Sequence, residues 1–214
     1  TTEIYTVKDP LSLPDALPIF SRRSLIATLV LTAAAGPGRA ALPPDIVARV
    51  EDYLNSFRTL KADFTQIAPD GKTTTGKVYI KRPGRLRFEY DPPERLLMVA
   101  RDWRLVVHDG RADQTSTVPV DKTPLGLLLN EEIRLGGPVT IRSLAEISGE
   151  LHLTVFQTED PGRGELTLIF GLEPLELRRW EVLDAQGKRT RVLLENLESD
   201  VELDNRLFST AGLG

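Results

Sequence analysis

The order of apolar and polar positions changes twice along this chain. Ile46, Val47, Val50, Tyr53, Leu54 and Phe57 recur at helical spacing, with Arg49, Glu51, Asp52 and Asn55 largely off that stripe. Pro43-Pro44-Asp45 precedes them; proline is tolerated in a first helical turn, and an acid suits the positive end of the helix dipole. The pattern predicts an amphipathic helix that lies on something apolar. From Leu60 onward the period becomes two. Arg85-Leu86-Arg87-Phe88-Glu89-Tyr90 alternates strictly, placing Leu86, Phe88 and Tyr90 on one face. Leu151 to Val155 and Glu165 to Leu168 alternate as well, putting Leu151 with Leu153 and Leu166 with Leu168, and Phe170 keeps the phase. Turn signals at Asp70-Gly71, Pro83-Gly84, Asp91-Pro92-Pro93, Asp109-Gly110, Pro161-Gly162 and Gln186-Gly187 separate about ten or eleven predicted strands. The short spacings suit antiparallel hairpins in a meander rather than strand–helix–strand units.

One stretch breaks this rhythm. Thr123 to Asn130, TPLGLLLN, reads as a short apolar helix with Thr123 as N-cap and Pro124 at its first position. Leu125, Leu127, Leu128 and Leu129 are too continuous for a helix with one wet face, so the segment is covered or covers something. Strands that are apolar on one face also need a partner for that face. A mainly β body with helices meets both demands: an incomplete antiparallel barrel, or highly curved sheet, capped by the two helical segments and able to enclose an apolar cavity. A filled sandwich core satisfies the same pattern.

The first forty residues do not fit this body. Residues 1–20 have three prolines and no core periodicity, and Tyr5 to Ile19 resembles a translated sequencing adapter. With Thr1 first and Met98 as the one methionine, the expectation is a fragment, a fusion or a misread frame carrying a non-native extension; a natural extension is the alternative. Residues 21–40 follow the order of a secretory signal peptide: basic Ser21-Arg22-Arg23-Ser24, an apolar run from Leu25 to Ala35, then Gly38 and Ala40 at the −3 and −1 positions of a cleavage site. That run is too short to span a bilayer, which takes about 20 residues. Cleavage is expected after Ala40, with Ala35 as the alternative, and export by the Sec or the twin-arginine route into the periplasm. Residues 41–214 then form one domain.

Composition narrows the chemistry. There are 27 Lys+Arg against 31 Asp+Glu and no cysteine. A mildly acidic chain lacks the basic excess of a general nucleic-acid binder. Without cysteine there is no disulfide, thiolate metal site, Cys nucleophile or lipid-bearing N-terminal cysteine. The two histidines, His108 and His152, are isolated and form no metal-ligand spacing. No nucleophile elbow, phosphate-binding loop or dinucleotide fingerprint occurs, and the acids are scattered. No positive feature of the residues points to catalysis, a metal site or a cofactor, while a carboxylate pair assembled across the fold stays open.

Several stretches together resemble the outer-membrane lipoprotein carrier (LolA-like) family over about residues 45–209. Phe57-Arg58-Thr59-Leu60-Lys61-Ala62-Asp63-Phe64-Thr65-Gln66 is similar to the family's first strand. Gly76 to Phe88, GKVYIKRPGRLRF, is similar to its K-R-P hairpin; Asp91-Pro92-Pro93 and Thr123-Pro124-Leu125 fall where it has a proline turn and an apolar helix. Asp102-Trp103 departs from the Asp-Gly usual there, and Arg85 and Arg87 make that strand's outer face more basic. The resemblance implies an unclosed barrel lidded by helices over a cavity for lipoprotein acyl chains. It implies a periplasmic chaperone, not an enzyme, that works as a monomer. The chaperone would receive acylated lipoproteins from an inner-membrane lipoprotein-releasing ABC transporter and pass them to an outer-membrane receptor. Leu86, Phe88, Tyr90, Leu151, Leu153, Leu166, Leu168 and Phe170 would line the cavity, Leu125, Leu127, Leu128 and Leu129 would form the lid, and Arg82 would latch it through lid carbonyls. A carrier of other lipids and, behind it, a lipid or glycan hydrolase remain as alternatives. We expect residues 41–214 alone to fold as a monomer with a mainly β circular dichroism spectrum; a mainly helical spectrum or an insoluble product would contradict the domain boundaries.

Overall fold

The computed structural model describes residues 43–212, so the extension and the signal-peptide reading fall outside the described residues. Helix α1 runs over Ile46–Asn55 and buries Ile46, Val50 and Leu54, three positions of the predicted stripe. Eleven strands follow: β1 (Thr59–Ile67), β2 (Thr73–Lys81), β3 (Arg85–Tyr90), β4 (Leu96–Arg101), β5 (Arg104–Asp109), β6 (Gln114–Pro119), β7 (Val139–Ile147), β8 (Glu150–Gln157), β9 (Gly164–Leu172), β10 (Leu175–Asp184) and β11 (Arg189–Ser199). Three turns escaped the sequence signals, at Asp102-Trp103, Ser148-Gly149 and Glu173-Pro174. Asp102 and Trp103 both take positive φ, 51° and 59°, the conformation a two-residue hairpin loop favours.

All eleven strands join one antiparallel sheet in the order β6-β5-β4-β3-β2-β1-β11-β10-β9-β8-β7. The chain meanders outward from β1 to β6, crosses to the far edge, and meanders back until β11 pairs with β1, with Phe64 opposite Leu194. The crossover, residues 120–138, therefore has to travel between the two edges, and it carries the leucine-rich segment.

The expected barrel is not formed. The sheet is open: β6 and β7 are its two edges, and it is neither closed into a barrel nor strongly curled. The physical reason lies in the edge. All six positions of β6, QTSTVP, are exposed, so that strand has no buried side chain to hold it against β7, and a polar strand ending in proline is a stable terminus for a sheet. The expected cavity is corrected with it. The space between the sheet and its cover is filled, and the void beside Leu127, Val155 and Leu166 is about 20 Å³, room for about one water molecule. The apolar segment after Thr123 is a 3₁₀ helix, Pro124–Leu129, and the Thr123 hydroxyl donates to the carbonyl of Val120 (2.7 Å) instead of capping it.

The opposite face of β2 to β4 is covered too. Phe208 and Leu203, from the segment after β11, pack on Val99 with Tyr79 and Leu97 beside them. Lys81 Nζ and Arg87 Nη1 pin that segment by donating to the carbonyls of Leu203 (2.7 Å) and Leu207 (2.9 Å).

Gly76 sits in the middle of β2, opposite Phe64 and Tyr90. A Cβ there would lie 2.0 Å from the Glu89 carbonyl oxygen and 2.8 Å from Phe64 Cε1. Only a residue without a side chain lets β3 and the Phe64 ring approach this closely. Gly76→Val is expected to cost about 2–3 kcal/mol through overpacking, lowering the melting midpoint by roughly 4–12 °C; thermal denaturation checks it.

Candidate functional site

The apolar face of the sheet and the segments lying on it form the site. Leu86 and Phe88 from β3, Leu151 and Leu153 from β8, and Leu166, Leu168 and Phe170 from β9 are all buried in one cluster, with Tyr90 packed against it. Leu127, Leu128 and Leu129 of the crossover belong to the same cluster, and Leu125 packs at its border. The structure thus brings together all twelve apolar residues singled out from the sequence. Alternation aimed one face of each strand inward, and the sheet aligned those faces.

Aromatic rings fill the centre. Phe64 meets Phe88 and Tyr90 edge-on, with centroids 5.0 and 5.1 Å away, and Phe88 meets Trp180 at 6.3 Å. Such edge-to-face pairs set ring positions as well as burying area. The Tyr90 hydroxyl donates to Gln66 Oε1 (2.9 Å), and burial pushes its pKa up to about 12, so the phenol stays neutral at any physiological pH. Trp180 Nε1 is buried within this apolar region without a hydrogen-bond partner.

α1 is fixed over the face by Tyr53 and by Arg82. The Tyr53 ring packs edge-on to Phe57 and Phe170, and its hydroxyl accepts from the Leu177 amide (3.0 Å). Burial raises the Tyr53 pKa. Arg82, at 6% exposure, is the one charged side chain buried among the described residues. Its Nη2 donates to the carbonyls of Leu54 and Phe57, and the guanidinium lies 5.1 Å from the Phe57 ring centroid. The last carbonyls of a helix have no partner within it, and a planar guanidinium can serve two at once. Burial lowers the Arg82 pKa, with Arg58 adding to the effect and Asp200 opposing it. Arg82 therefore holds the end of α1; the leucine segment is held next door, where the Gly84 amide donates to the Leu129 carbonyl (2.8 Å).

Sequence reasoning missed the residues that join the two parts of the cover. Asn55, the last residue of α1, makes a reciprocal pair with Ile133: Nδ2 donates to its carbonyl (2.8 Å) and Oδ1 accepts from its amide (2.9 Å). Glu51 accepts from the Leu135 amide, and Arg58 donates to the Glu131 carbonyl. Asn55 and Ile133 are 78 residues apart, so no local pattern could pair them; the available signal was a polar group at a helix end, where orphan backbone groups gather. His108 and His152 stand apart on β5 and β8; the first contacts Thr115 Oγ1 (3.0 Å), the second lies 3.9 Å from Glu150.

Comparison with known proteins gives these residues a context. A family model described as outer membrane lipoprotein carrier protein LolA matches residues 55–211. An outer-membrane lipoprotein carrier protein of Methylococcus capsulatus is 31% identical over 170 residues, which is 75% of this chain and 81% of the relative. Another, of Methylibium petroleiphilum, is 27% identical over 191 residues, covering 85% and 91%. Among solved structures, a LolA superfamily protein of Nitrosomonas europaea aligns over 76% of this chain and 97% of its own, at 9% identity and a TM-score of 0.43.

Asn55→Ala removes both bonds to Ile133 and should cost about 1–2 kcal/mol. Amide hydrogen exchange at Ile133 is expected to speed up while Val50 and Leu54 in α1 keep their protection. Unchanged exchange at Ile133 would mean that Asn55 does not tie the cover together.

Proposed function

This chain belongs to the LolA family of outer-membrane lipoprotein carriers, and we propose that it carries its cargo by letting lipoprotein acyl chains replace its own leucine-rich cover on the apolar face of the sheet. The coarser role comes with the family: a non-catalytic periplasmic carrier of lipoproteins, working with the membrane machinery that moves them. In the finer reading, an inner-membrane lipoprotein-releasing ABC transporter loads the chain and an outer-membrane receptor unloads it.

The observation that carries this reading is the composition of the cover. Three buried leucines and a fourth half-buried one sit on a segment that belongs to no strand. Polar ties attach it: the Gly84 amide on Leu129, and the Asn55 pair on Ile133. Each acyl methylene moved out of water is worth about 0.8 kcal/mol, so a 16-carbon chain represents about 12 kcal/mol. Free diffusion of such a chain through an aqueous compartment is forbidden on that scale. Burying three leucines and about half of a fourth is worth about 5–10 kcal/mol. Cover and cargo are therefore close competitors for the same face, which permits both uptake and release. Leu86, Phe88, Tyr90, Leu151, Leu153, Leu166, Leu168 and Phe170 would contact the acyl chains once the leucines leave. Arg82 resists opening, because its charge-assisted bonds to the Leu54 and Phe57 carbonyls, about 1.5–3 kcal/mol each, have to survive or be surrendered when the cover moves.

Native mass spectrometry of the protein purified from its own envelope tests this. Complexes with acylated lipoproteins are expected. Free lipids alone would reassign it as a carrier of other lipids, and an empty protein under all loading conditions would contradict acyl carriage. Arg82→Leu should co-purify with more lipoprotein than the native chain, and Arg82→Lys with an intermediate amount, since an ammonium keeps the charge but loses the planar fork. Less cargo in the Leu variant at equal stability would show that Arg82 contacts cargo or partner instead of holding the closed form.

A further inference from the structure

We propose that Gln157 and Arg163 form a recognition site for the ester or amide carbonyl at the head of a cargo acyl chain, and that the closed protein occupies this site with its own Asp121 carbonyl. The proposal rests on the acyl-carrier reading above and adds where a chain enters and which group is recognised.

Two side-chain donors converge on one backbone oxygen here. Gln157 Nε2 donates to the Asp121 carbonyl at 2.7 Å, and Arg163 Nη1 reaches the same oxygen at 3.4 Å while donating to Gln157 Oε1 at 3.1 Å. Gln157 ends β8, and Arg163 lies in the turn before β9. Asp121 lies in the short 3₁₀ turn Val120–Lys122, immediately ahead of the leucine segment Pro124–Leu129. Arg163 Nε also pairs with Asp160 Oδ2 at 2.7 Å, which fixes the guanidinium and balances its charge.

The pair stands at the mouth of a passage into the core. A surface groove of about 280 Å³ bordered by Trp103 and Asn130 shares Leu127, Val139, Gln157 and Arg163 with the small void above Val155 and Leu166. Those last two residues are 2% and 1% exposed, so the passage runs from solvent to the buried face. Hydrogen-bond donors at the entrance and aliphatic side chains beneath repeat the order of groups in an acyl chain, whose carbonyl head accepts hydrogen bonds and whose tail is methylene. A phosphate or carboxylate head would ask for unmatched positive charge, whereas Arg163 already faces Asp160; the donor pair suits a neutral acceptor. A backbone carbonyl has the same acceptor chemistry as an ester or amide carbonyl, so the Asp121 oxygen stands where the cargo oxygen would. A cargo carbonyl that displaces it removes one tie on the turn 120–122, leaving the Val120 amide on the Trp103 carbonyl (2.9 Å) and the Gly84 amide on the Leu129 carbonyl (2.8 Å) as the bonds that still hold the leucine segment. Recognition of the head group thereby begins the removal of the cover.

The test compares two synthetic lipopeptides, one with a dipalmitoylglyceryl cysteine and its dialkyl ether twin, which has the same tails but no ester carbonyls. Binding to the full chain is measured by displacement of a fluorescent acyl probe. The native protein should prefer the ester by roughly tenfold, as expected for one or two hydrogen bonds. The double variant Gln157→Ala, Arg163→Ala should lose that preference while binding the ether at least as well, because its cover is no longer tied at Asp121. Gln157→Glu keeps the shape of the side chain, serves as the second variant if the double variant folds poorly, and should also lose the preference, since a carboxylate repels a carbonyl oxygen. Equal affinity for both lipopeptides in the native protein, or an ester preference that survives the substitutions in folded protein, would overturn the carbonyl site and leave acyl carriage standing. Failure of both lipopeptides to bind would overturn the carbonyl site and acyl carriage together.

Discussion

The apolar face of an open sheet has to be kept from water by something that is not the sheet. In this protein α1 and the crossover between β6 and β7 do that work, and most other features follow from it. Because β6 and β7 are the two edges, the connection between them runs the width of the sheet and is available as a cover. It brings Leu127, Leu128 and Leu129 into the same cluster as Phe88, Leu153 and Leu168. A closed barrel would have sealed these strands against one another; an open sheet leaves the seal to a segment with no ladder of its own.

The manner of attachment matters as much as the area covered. Within the sheet, register fixes each strand through a continuous ladder. The cover is held at separate points: Arg82 on the end of α1, Asn55 on Ile133, Gln157 and Arg163 on Asp121, and the Gly84 amide on Leu129. Each such bond is worth about 0.5–1.5 kcal/mol, or about 1.5–3 when one partner is charged. A surface held this way can part without unfolding the sheet. Tyr53, bonded to Leu177 and packed on Phe170, makes α1 the firmer half of the cover.

Legibility in the sequence divides along the range of the interactions. The helical stripe from Ile46 to Leu54, the alternation in β3, β8 and β9 and the turns at Pro83-Gly84 and Asp109-Gly110 are local patterns, set by a residue and its near neighbours. The resemblance to lipoprotein carriers rested on short motifs such as GKVYIKRPGRLRF, and the family match over residues 55–211 upholds it. Arg82 stood out only through the resemblance to lipoprotein carriers, as a latch on lid carbonyls; its acceptors at the end of α1, 25 and 28 residues earlier, left no mark in the sequence.

By itself, the sequence determined which residues are apolar on one face, roughly how many strands there are, that one apolar segment interrupts them, and the family. Those properties depend on side-chain chemistry at a period of two or 3.6, which is written along the chain. Tertiary structure alone decided that the sheet stays open, that its apolar face is filled by leucines and not hollow, and that Asn55, Gln157 and Arg163 hold the cover. Whether an edge closes depends on what both edge strands present to each other, and β6 presents only exposed side chains. Whether a face is hollow depends on how far the crossover descends onto it, a distance set by packing among residues far apart in the chain, for which no window of sequence carries a signal.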